Sequence, residues 1–547
     1  MATRHRIDEA LHSENMGDVE KYFNYLTTMI EKNSGVNDFK LITSDCYNVN
    51  APFKENQFAT FNLTDESVDI VDISKGFINL KCDIDLQFLY ENLDPTFAEE
   101  SAAHRYVYFF VGFKSASHLL HNYNVYSNGR LTECKSTTAK HEQAIVYSAK
   151  AKEEKCGRPG MYSPHKEVLK MSNCVAGTYV KLPAYADKDK QVKITLDLMI
   201  QVDDILPFSG MTYLPTFLTK DMKIQISTSL HQSMVFCQIP FSSVVQYITD
   251  EFTLTDPHAA GINAIVHPQS SMDSRFTQCG DYADCILGYG KEGESTVFKV
   301  DSNKATILPT NITIVEAKSY VYGFNIKESA KQNILRVFQQ NNFIISSQAI
   351  EWHQLSQLPT INQIRSTIQV PMFNASQIIF TFPNSANKLT VMKNPHLESV
   401  QCHIADRIIP DKFFTTLDNS HAEMIIANLN MDSLFSAPHE LIEALTKNRK
   451  QCGSWTLRKH DDSDYMLVFN LERFGNGCFC DGLSGNNIPI ALNANFMEGT
   501  NNPHYYEMVN GVKQHKVQNI NLYIVQDTFW IFGPDGAHYI KDSSSLV

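Results

Sequence analysis

The chain has 547 residues, of which 43% are hydrophobic and 20% charged, so it can bury a large core. Its formal net charge of −13 argues against a role that depends on a basic, nucleic-acid-binding surface. The opening residues lack an apolar signal-peptide core, and no apolar run approaches the roughly 18 residues of a spanning helix, so we expect neither secretion nor membrane insertion. The 12 cysteines are scattered rather than paired, which predicts reduced thiols inside a cell.

The N-terminal stretch differs in texture from the rest of the chain. Residues 6–33 are mainly polar, with apolar side chains at loosely helical spacing. These apolar residues are Ala10, Leu11, Tyr22, Phe23, Tyr25, Leu26 and Ile30. We therefore predict that residues 1–38 form a partly helical N-terminal arm.

Period-two alternation of apolar and polar residues then predicts antiparallel strands with one buried face. It is clearest at residues 78–88, 192–202 and 222–226. The segment Arg105–Phe113 is apolar on both faces, so we expect it to be covered on both sides. We assign residues 39–250 to a first jelly-roll β-sandwich.

Residues 251–305 show weak periodicity and several turn signals, which favours a connector or long loop. Strand-like segments then return, at residues 311–314, 376–382, 465–471 and 488–496. We assign residues 306–547 to a second jelly roll with a C-terminal tail. The predicted fold class is mainly all-β, with two consecutive eight-stranded jelly-roll β-sandwiches, a few short helices and an N-terminal helical arm.

Three segments carry helix signals. Residues 436–450 have a Ser436 cap, an early Pro438 and a basic final turn. Residues 328–340 are a second candidate, and residues 141–154 are a third, expected to lie inside a loop.

The stretch NLYIVQDTFWIF, residues 521–532, is apolar at both ends and polar only at its centre. We predict a closing strand that is covered on both faces, with Gln526, Asp527 and Thr528 marking a bend, bulge or wetter point. We expect protein from outside its own sheet to bury Trp530 and Phe532. The residues predicted to form this structural or interface strand are Tyr523, Val525, Phe529, Trp530 and Phe532.

Candidate catalytic and metal-binding patterns are weak. The glycines of GYGKEG, residues 288–293, precede a strand-like segment instead of a helix, so a turn fits better than a dinucleotide site. Cys279 with Cys285, and Cys478 with Cys480, have spacings unsuited to a structural zinc site. The remaining candidates lack a required partner: His258, His267, His439 and Ser484. We predict no catalytic, cofactor-binding or metal-binding residues, and no enzyme activity.

Three stretches resemble the double jelly-roll major capsid proteins of Polinton/Maverick elements, polinton-like viruses, adintoviruses and virophages. The first, Asp203–Ser229, combines a Pro-containing apolar segment, a Leu-Pro pair and a strand with an acidic start. The second, Asn311–Pro410, resembles the opening of a second jelly roll and carries Asn394-Pro395. The third, Tyr465–Phe532, resembles the closing strands.

The resemblance implies a structural protein of the virion that is assembled inside the host cell. Such a protein forms hexon-like, pseudo-hexagonal homotrimers that tile an icosahedral capsid around a double-stranded DNA genome. The partners it implies are further copies of the chain and a penton or minor capsid protein, with no dedicated basic arm for the DNA. Two alternatives stay open: a receptor- or carbohydrate-binding β-sandwich protein, and a glycan-processing enzyme on a two-jelly-roll scaffold, which would need a carboxylate pair in a cleft.

Overall fold

The structure is a computed structural model, and it describes a large part of the chain. The described residues are 36–91, 108–135, 138–151, 154–155, 157–158, 160, 176–181, 191–209, 211–219, 221–229, 233–238, 277–280, 283–285, 303–340, 343–356, 363–385, 388–392, 395, 397–414, 465–471, 482–496, 506–509, 512–515, 519–533 and 536–540.

Strands dominate the first part of the chain, residues 36–326, which we term the first block. Its strands are β1 Val36–Asp45, β2 Phe53–Lys54, β3 Ala59–Asn62, β4 Ile70–Glu91, β5 Tyr108–Phe113, β6 Leu120–Ser127, β7 Arg130–Lys135, β8 Ala176–Lys181, β9 Val192–Gln201, β10 Tyr213–Pro215, β11 Met222–Thr228, β12 Val235–Gln238, β13 Thr277–Gln278, β14 Ala283–Cys285 and β15 Asn303–Ile326.

The second part, residues 343–540, is termed the second block. Its strands are β16 Phe343–Ser356, β17 Gln363–Thr381, β18 Pro383–Ser385, β19 Lys388–Met392, β20 Leu397–Ile404, β21 Arg407–Phe414, β22 Leu467–Asn470, β23 Leu483–Phe496, β24 Tyr506–Val509, β25 Val512–His515, β26 Asn519–Gly533 and β27 Gly536–Ile540.

Helices are short in the described part of the chain. The α-helices are α1 Ala139–Ala149, α2 Thr216–Thr219 and α3 Glu328–Gln340, and the 3-10 helices are Ala116–Leu119, Val202–Asp204 and Leu206–Phe208. The helix predicted at residues 328–340 is confirmed as α3. The helix predicted at residues 436–450 lies outside the described residues, as does most of the N-terminal arm.

The first block has two layers around one apolar core. Sheet A contains β1, β15, β4 and β10 in that order, with β9 also paired to β4 and with β2 and β14 paired to β15. Sheets B (β3-β11-β6-β7) and C (β13-β12-β5-β8) pack on the same core as sheet A. Strand β5 of sheet C is followed in the chain by β6 of sheet B, and β11 of sheet B is followed by β12 of sheet C. Because β5 pairs with β12 and β6 pairs with β11, sheets B and C continue one antiparallel layer. Residues 109–113 of β5 are buried, as their two-sided apolar pattern predicted.

Strand β15 crosses the predicted boundary at residue 306. It pairs with β4 from Lys304↔Glu91 to Phe324↔Ile70, and on its other side with β1. Residues 303–326 therefore belong to sheet A and to the first block. The alternation of β15 showed a strand but could not reveal its partner, because the partner lies more than 200 residues earlier. The division of the chain into two domains stays a prediction.

Sheet D forms the framework of the second block. Its order is β16-β26-β17-β23-β20-β21, with β22 on β17 and β27 on β26. Strand β17 pairs with β23 along its first part and with β26 and β22 along its last part, so it connects the two halves of sheet D. Side chains from both parts share a single core. The predicted fold class, mainly all-β in two sandwich blocks with few helices, is confirmed.

Candidate functional site: the buried seam between the two blocks

The closing strand predicted at residues 521–532 is β26, and it lies deep in the protein. Its residues 520–530 are all buried. The side chains predicted to form an interface strand are no more than 6% exposed, namely Tyr523, Val525, Phe529, Trp530 and Phe532. Both faces of this strand are therefore covered by protein.

The two faces of β26 meet different parts of the first block. The ladder between β16 and β26 runs without a bulge from Phe343↔Phe532 to Ser356↔Asn519. Side chains alternate between faces along such a strand, so Tyr523 and Trp530, seven positions apart, point to opposite sides of the sheet. Both nevertheless contact residues numbered below 210. The first block thus reaches both faces of the β16–β26 ribbon, at the edge of sheet D.

Trp530 anchors one face. Its indole Nε1 donates a hydrogen bond to the carbonyl oxygen of Pro207, and its ring stacks on Phe208 at a centroid distance of 6.1 Å. Beside it, the Ser347 hydroxyl of β16 donates to the carbonyl oxygen of Leu206 at 2.7 Å. Pro207 and its neighbours form a 3-10 turn whose carbonyl groups point at the second block, so backbone polarity is satisfied across the contact.

Helix α1 covers the other face. The His141 ring stacks on Trp352 of β16, with centroids 3.8 Å apart, and its Nδ1 lies 3.4 Å from the Tyr523 hydroxyl. The helix predicted within residues 141–154 is α1, and it lies in the connection between β7 and β8. Nearly every residue of α1 is buried, and its polar side chains make buried hydrogen bonds.

The two covering elements are tied to each other. Gln143 of α1 donates through Nε2 to the carbonyl oxygen of Asp204 at 3.0 Å. We term α1 together with residues 202–208 the clasp, and the surface where the clasp meets β16 and β26 the seam. Because the clasp closes over both faces, it also shields β16, the edge strand of sheet D.

An ionic cluster holds residues 202–208 of the clasp in place. Arg158 donates to Asp203 at 2.8 Å and to Asp204 at 2.6 Å, and also contacts Glu154 at 3.1 Å. Lys150, one residue beyond α1, lies 3.5 Å from Asp204. Burial raises the pKa of Asp204 to about 6 despite these cations, whereas the neighbouring carboxylates raise the pKa of Arg158 above its usual value.

A second polar bridge crosses from the first block to β16. Lys135 of β7 donates through Nζ to the carbonyl oxygen of Ile350 at 2.8 Å and lies 3.4 Å from Glu351. Its other neighbour is Glu142 of α1, at 3.9 Å, which accepts a hydrogen bond from the Tyr123 hydroxyl at 2.9 Å. A lysine with 3% of its side chain exposed is thereby satisfied by partners from both blocks.

Two buried histidines of the clasp region are held neutral. Burial lowers the pKa of His141 to about 2, assisted by the positive charge of Lys140. Burial, together with Lys114, lowers the pKa of His118 to about 3, and the His118 ring meets Tyr147 of α1 edge-on at 5.2 Å. Neutral imidazole fits these packed sites, and the charged form does not.

The polar centre of β26 is buried, contrary to the expectation of a wetter point. Gln526, Asp527 and Thr528 are each no more than 4% exposed, and the Thr528 hydroxyl lies 2.9 Å from that of Tyr539. The irregularity lies in the neighbouring strand β17, which bulges at residues 375–377, opposite Val525 and Gln526. Along β26, the pairing with β17 ends at Gln526, and pairing with β27 begins at Phe529. The polar residues mark this change of partner.

Of the other sequence candidates, Cys279 and Ser484 lie within the described residues. Cys279 is buried and Ser484 is exposed. Within the described ranges, no group of three or more His, Cys, Asp or Glu side chains is arranged to hold a metal ion. His258, His267, His439, Cys478, Cys480 and the GYGKEG stretch lie outside the described residues. Among the helices described, none is long and apolar enough to cross a membrane.

Comparison with known proteins places the chain beside viral structures. No family model and no curated protein matches it. A structure of the Sputnik virophage is similar over 94% of this chain and 91% of that chain, with a TM-score of 0.49 and 10% identity. The mavirus major capsid protein has a TM-score of 0.46 and 8% identity, over 93% of this chain and 92% of its own. The Faustovirus major capsid protein has a TM-score of 0.37 and 9% identity, over 96% and 100%. The virophage group suspected from the sequence is represented among these structures.

Sequence reasoning found the closing strand but missed the clasp. The available signal was Asp203-Asp204-Ile-Leu-Pro-Phe208, two adjacent acids followed by an apolar Pro-containing turn. Adjacent acids in an otherwise apolar segment require a cation if they are buried. Nothing in the sequence pointed to Arg158, which lies 45 residues earlier in a stretch with no periodic pattern.

Proposed function

We propose that the chain is a major capsid protein that self-assembles into homotrimers, and that these trimers tile an icosahedral shell around a double-stranded DNA genome. The proposed role is structural and non-enzymatic, and the proposed location is the virion, with assembly inside the host cell. A penton or minor capsid protein is the expected additional partner.

The observation that carries the proposal is the seam. Two β-sandwich blocks of one chain are held as a single body by buried hydrogen bonds, stacked rings and ion pairs on both faces of the β16–β26 ribbon. Three copies of such a body around a threefold axis place six sandwich units in a ring, which gives a pseudo-hexagonal tile. A tile that bears load in a shell needs its two units fixed relative to each other, and the seam supplies that fixation.

Within this proposal, β26 acts as a structural strand. Tyr523 and Trp530 connect sheet D to the clasp, so they serve the junction inside the subunit. Val525 lies in the core of the second block, while Phe532 packs in the core that extends from the first block. Contacts between subunits are then expected on surfaces other than this strand.

The net charge of −13 supports a shell that leaves charge neutralisation of the DNA to other factors. A strongly basic inner surface is not needed for the lattice itself, since lateral contacts between tiles depend on shape and small polar interfaces. We therefore expect the purified protein to bind double-stranded DNA weakly.

The test is the mass of the purified protein in solution, measured by analytical ultracentrifugation and light scattering. We expect a stable trimer near three times 62.0 kDa, and hexagonal particles in negative-stain electron micrographs. A chain that stays monomeric at high concentration and shows no hexagonal particles would overturn the proposal. Glycan binding or turnover by that monomer would favour one of the two alternatives.

A further inference from the structure

The outer face of sheet A carries a stripe of aromatic and aliphatic side chains. It crosses β1, β15, β4 and β10 near the start of β1 and the end of β15. We term this set the aromatic stripe, and its members are Phe39, Leu41, Phe77, Tyr213, Tyr320 and Tyr322.

Strand register places the stripe residues in adjoining rows. One row crosses the four strands β1, β15, β4 and β10 in order, through the directly opposed residues Leu41, Tyr322, Asp72 and Tyr213. In the next row Tyr320 lies opposite Phe77. Directly opposed residues share a face, so these side chains all point outward together. The rings are stacked in pairs: Phe39 on Tyr322 at 5.5 Å and Phe77 on Tyr320 at 4.9 Å.

The stripe is exposed where it meets β1. Phe39 is 58% exposed and Leu41 is 50% exposed, while Phe77, Tyr213 and the two tyrosines of β15 are half-buried. The rest of the same face is charged, with Lys193 paired to Asp83 and Lys318 to Glu316. A contiguous apolar patch of this kind on an otherwise polar sheet marks a contact surface.

We propose that the N-terminal segment of the same chain, centred on residues 22–30, binds the aromatic stripe. The first argument is where this segment joins the structure. Residues 1–35 lead directly into β1, whose first residue is Val36, and the stripe begins three positions later at Phe39. The stretch from Ile30 to Val36 can span up to about 20 Å, so residues 22–30 can reach the stripe.

The second argument is chemical fit. Residues 22–30 read YFNYLTTMI, the most apolar part of the first 35 residues. In a helix, Tyr22, Leu26 and Ile30 lie on one face at spacings of four, and Phe23 adjoins them three positions before Leu26. A short amphipathic segment of this type contributes an apolar face to match the stripe. Its tether gives an effective concentration on the order of millimolar, so even a small contact is favoured over an untethered competitor.

The first experiment measures tyrosine shielding in the full-length protein and in a form lacking residues 2–32. Tyrosine nitration is quantified by mass spectrometry at Tyr320, Tyr322 and Tyr213. We expect a severalfold rise at all three when the segment is removed. Tyr47, which is 54% exposed and outside the stripe, is the internal reference and should be modified equally in both forms.

Point variants keep the test valid if the truncated form does not fold. The double variant Phe23→Ser with Leu26→Ser should raise nitration of the stripe as truncation does, whereas Thr27→Ser should not. From the other side, Leu41→Asp should release the segment and speed tryptic cleavage at Lys21 and Lys32. Leu131→Asp is the matched control, because Leu131 is 54% exposed on the opposing layer and should leave cleavage unchanged.

A cross-linking experiment identifies which chain supplies the segment. Lys75 borders the stripe with 62% of its side chain exposed, and it pairs with Asp72 at 2.9 Å. An amine-reactive cross-linker should join Lys21 or Lys32 to Lys75, and Lys75→Arg should abolish that product. In a mixture of isotopically labelled and unlabelled protein, the product should lie within one chain.

Each other outcome overturns the proposal. Mixed-isotope cross-links would assign the segment to a neighbouring copy. Shielding that persists after truncation and disappears on dilution would assign the stripe to a subunit contact instead. Equal nitration in all forms would mean that the stripe is open. None of these readings depends on whether the protein is a capsid trimer, so they can be separated from the test of the proposed function.

Discussion

Ion pairs occur both in the seam and on the outer face of sheet A, but their surroundings differ. In the seam, Arg158 has 15% of its side chain exposed and its partner Asp204 has 3%. On sheet A, Lys193 has 62% of its side chain exposed and its partner Asp83 has 24%. The distances are similar, 2.6 and 2.8 Å. From their distances alone, the two ion pairs would be expected to contribute equally to stability. Their different burial predicts different contributions.

The difference teaches what holds the two blocks together. Exposed pairs are screened by water and contribute little, but removing one partner of a buried pair leaves an uncompensated charge. The seam combines such pairs with stacked rings and backbone hydrogen bonds, so its groups depend on one another. We expect substitutions there to be costly and to separate the blocks, and substitutions on sheet A to be tolerated.

The largest effect should come from Trp530→Ala. This change removes a fully buried ring and the hydrogen bond to Pro207, and leaves a cavity between the clasp and sheet D. We expect a loss of about 4–5 kcal/mol in the free energy of unfolding, measured by denaturant titration. Trp530→Phe keeps most of the packing and should lose clearly less. Equal losses for the two variants would mean that the cavity does not matter.

The next effect should come from Arg158→Met, which removes the cation closest to Asp203 and Asp204. Breaking a buried ion pair by removing one partner typically lowers the free energy of unfolding by about 3–5 kcal/mol. Because Arg158 is partly solvated, we expect a loss near the lower end of this range, about 3 kcal/mol. The triple variant Arg158→Met, Asp203→Asn, Asp204→Asn removes the unpaired charges and should recover part of the loss. If the triple variant were less stable than the single one, charge would not be the cause.

Alternation in the sequence was sufficient to predict several of the long strands. The segments at residues 78–88, 192–202 and 488–496 alternate because each has one face in a core, and they lie in β4, β9 and β23. Partners could not be predicted in the same way. The pairing of β15 with β4 joins residues more than 200 positions apart, and local pattern carries no information about such a contact.

The seam shows the other limit of sequence reasoning. Two-sided apolar character predicted that β26 is covered on both faces, since an alternating strand would have left one polar face. What covers it could not be predicted, because α1 uses polar residues such as Gln143 and Glu142 in buried hydrogen bonds. In the sequence these residues indicate solvent, and only their partners in space explain their burial.

Acidification should weaken the seam by an intermediate amount. His118 and His141 have pKa values lowered from 6.5 to about 3 and about 2 in the folded protein. Below pH 6.5, these histidines are therefore protonated in the unfolded chain but stay neutral in the folded one. Stability therefore falls as the pH falls, by about 2 kcal/mol per histidine between pH 7 and 5. Asp204 acts in the opposite direction, because its pKa, raised from 3.8 to about 6, lets the folded state bind a proton first.

Together, these three groups should lower the free energy of unfolding by about 2–3 kcal/mol between pH 7 and 5, since Asp204 offsets roughly 1 kcal/mol of the loss from the histidines. Unfolding titrations at the two pH values measure it. His141→Phe keeps a ring against Trp352 but cannot be protonated, so it should remove the His141 contribution, about 2 kcal/mol, from the pH dependence. An unchanged pH dependence in this variant would show that His141 is not the group responsible.

The smallest effect should come from Lys193→Met, the counterpart of Arg158→Met on sheet A. The Asp83 carboxylate left behind still accepts a hydrogen bond from Thr195 at 2.7 Å and stays open to water, so no buried charge is created. We expect the free energy of unfolding to be unchanged within experimental error in the same titration. A loss of stability comparable to that of Arg158→Met would contradict the comparison between the buried and the exposed ion pair. It would mean that distance, rather than burial, sets the contribution of an ion pair to the stability of this protein.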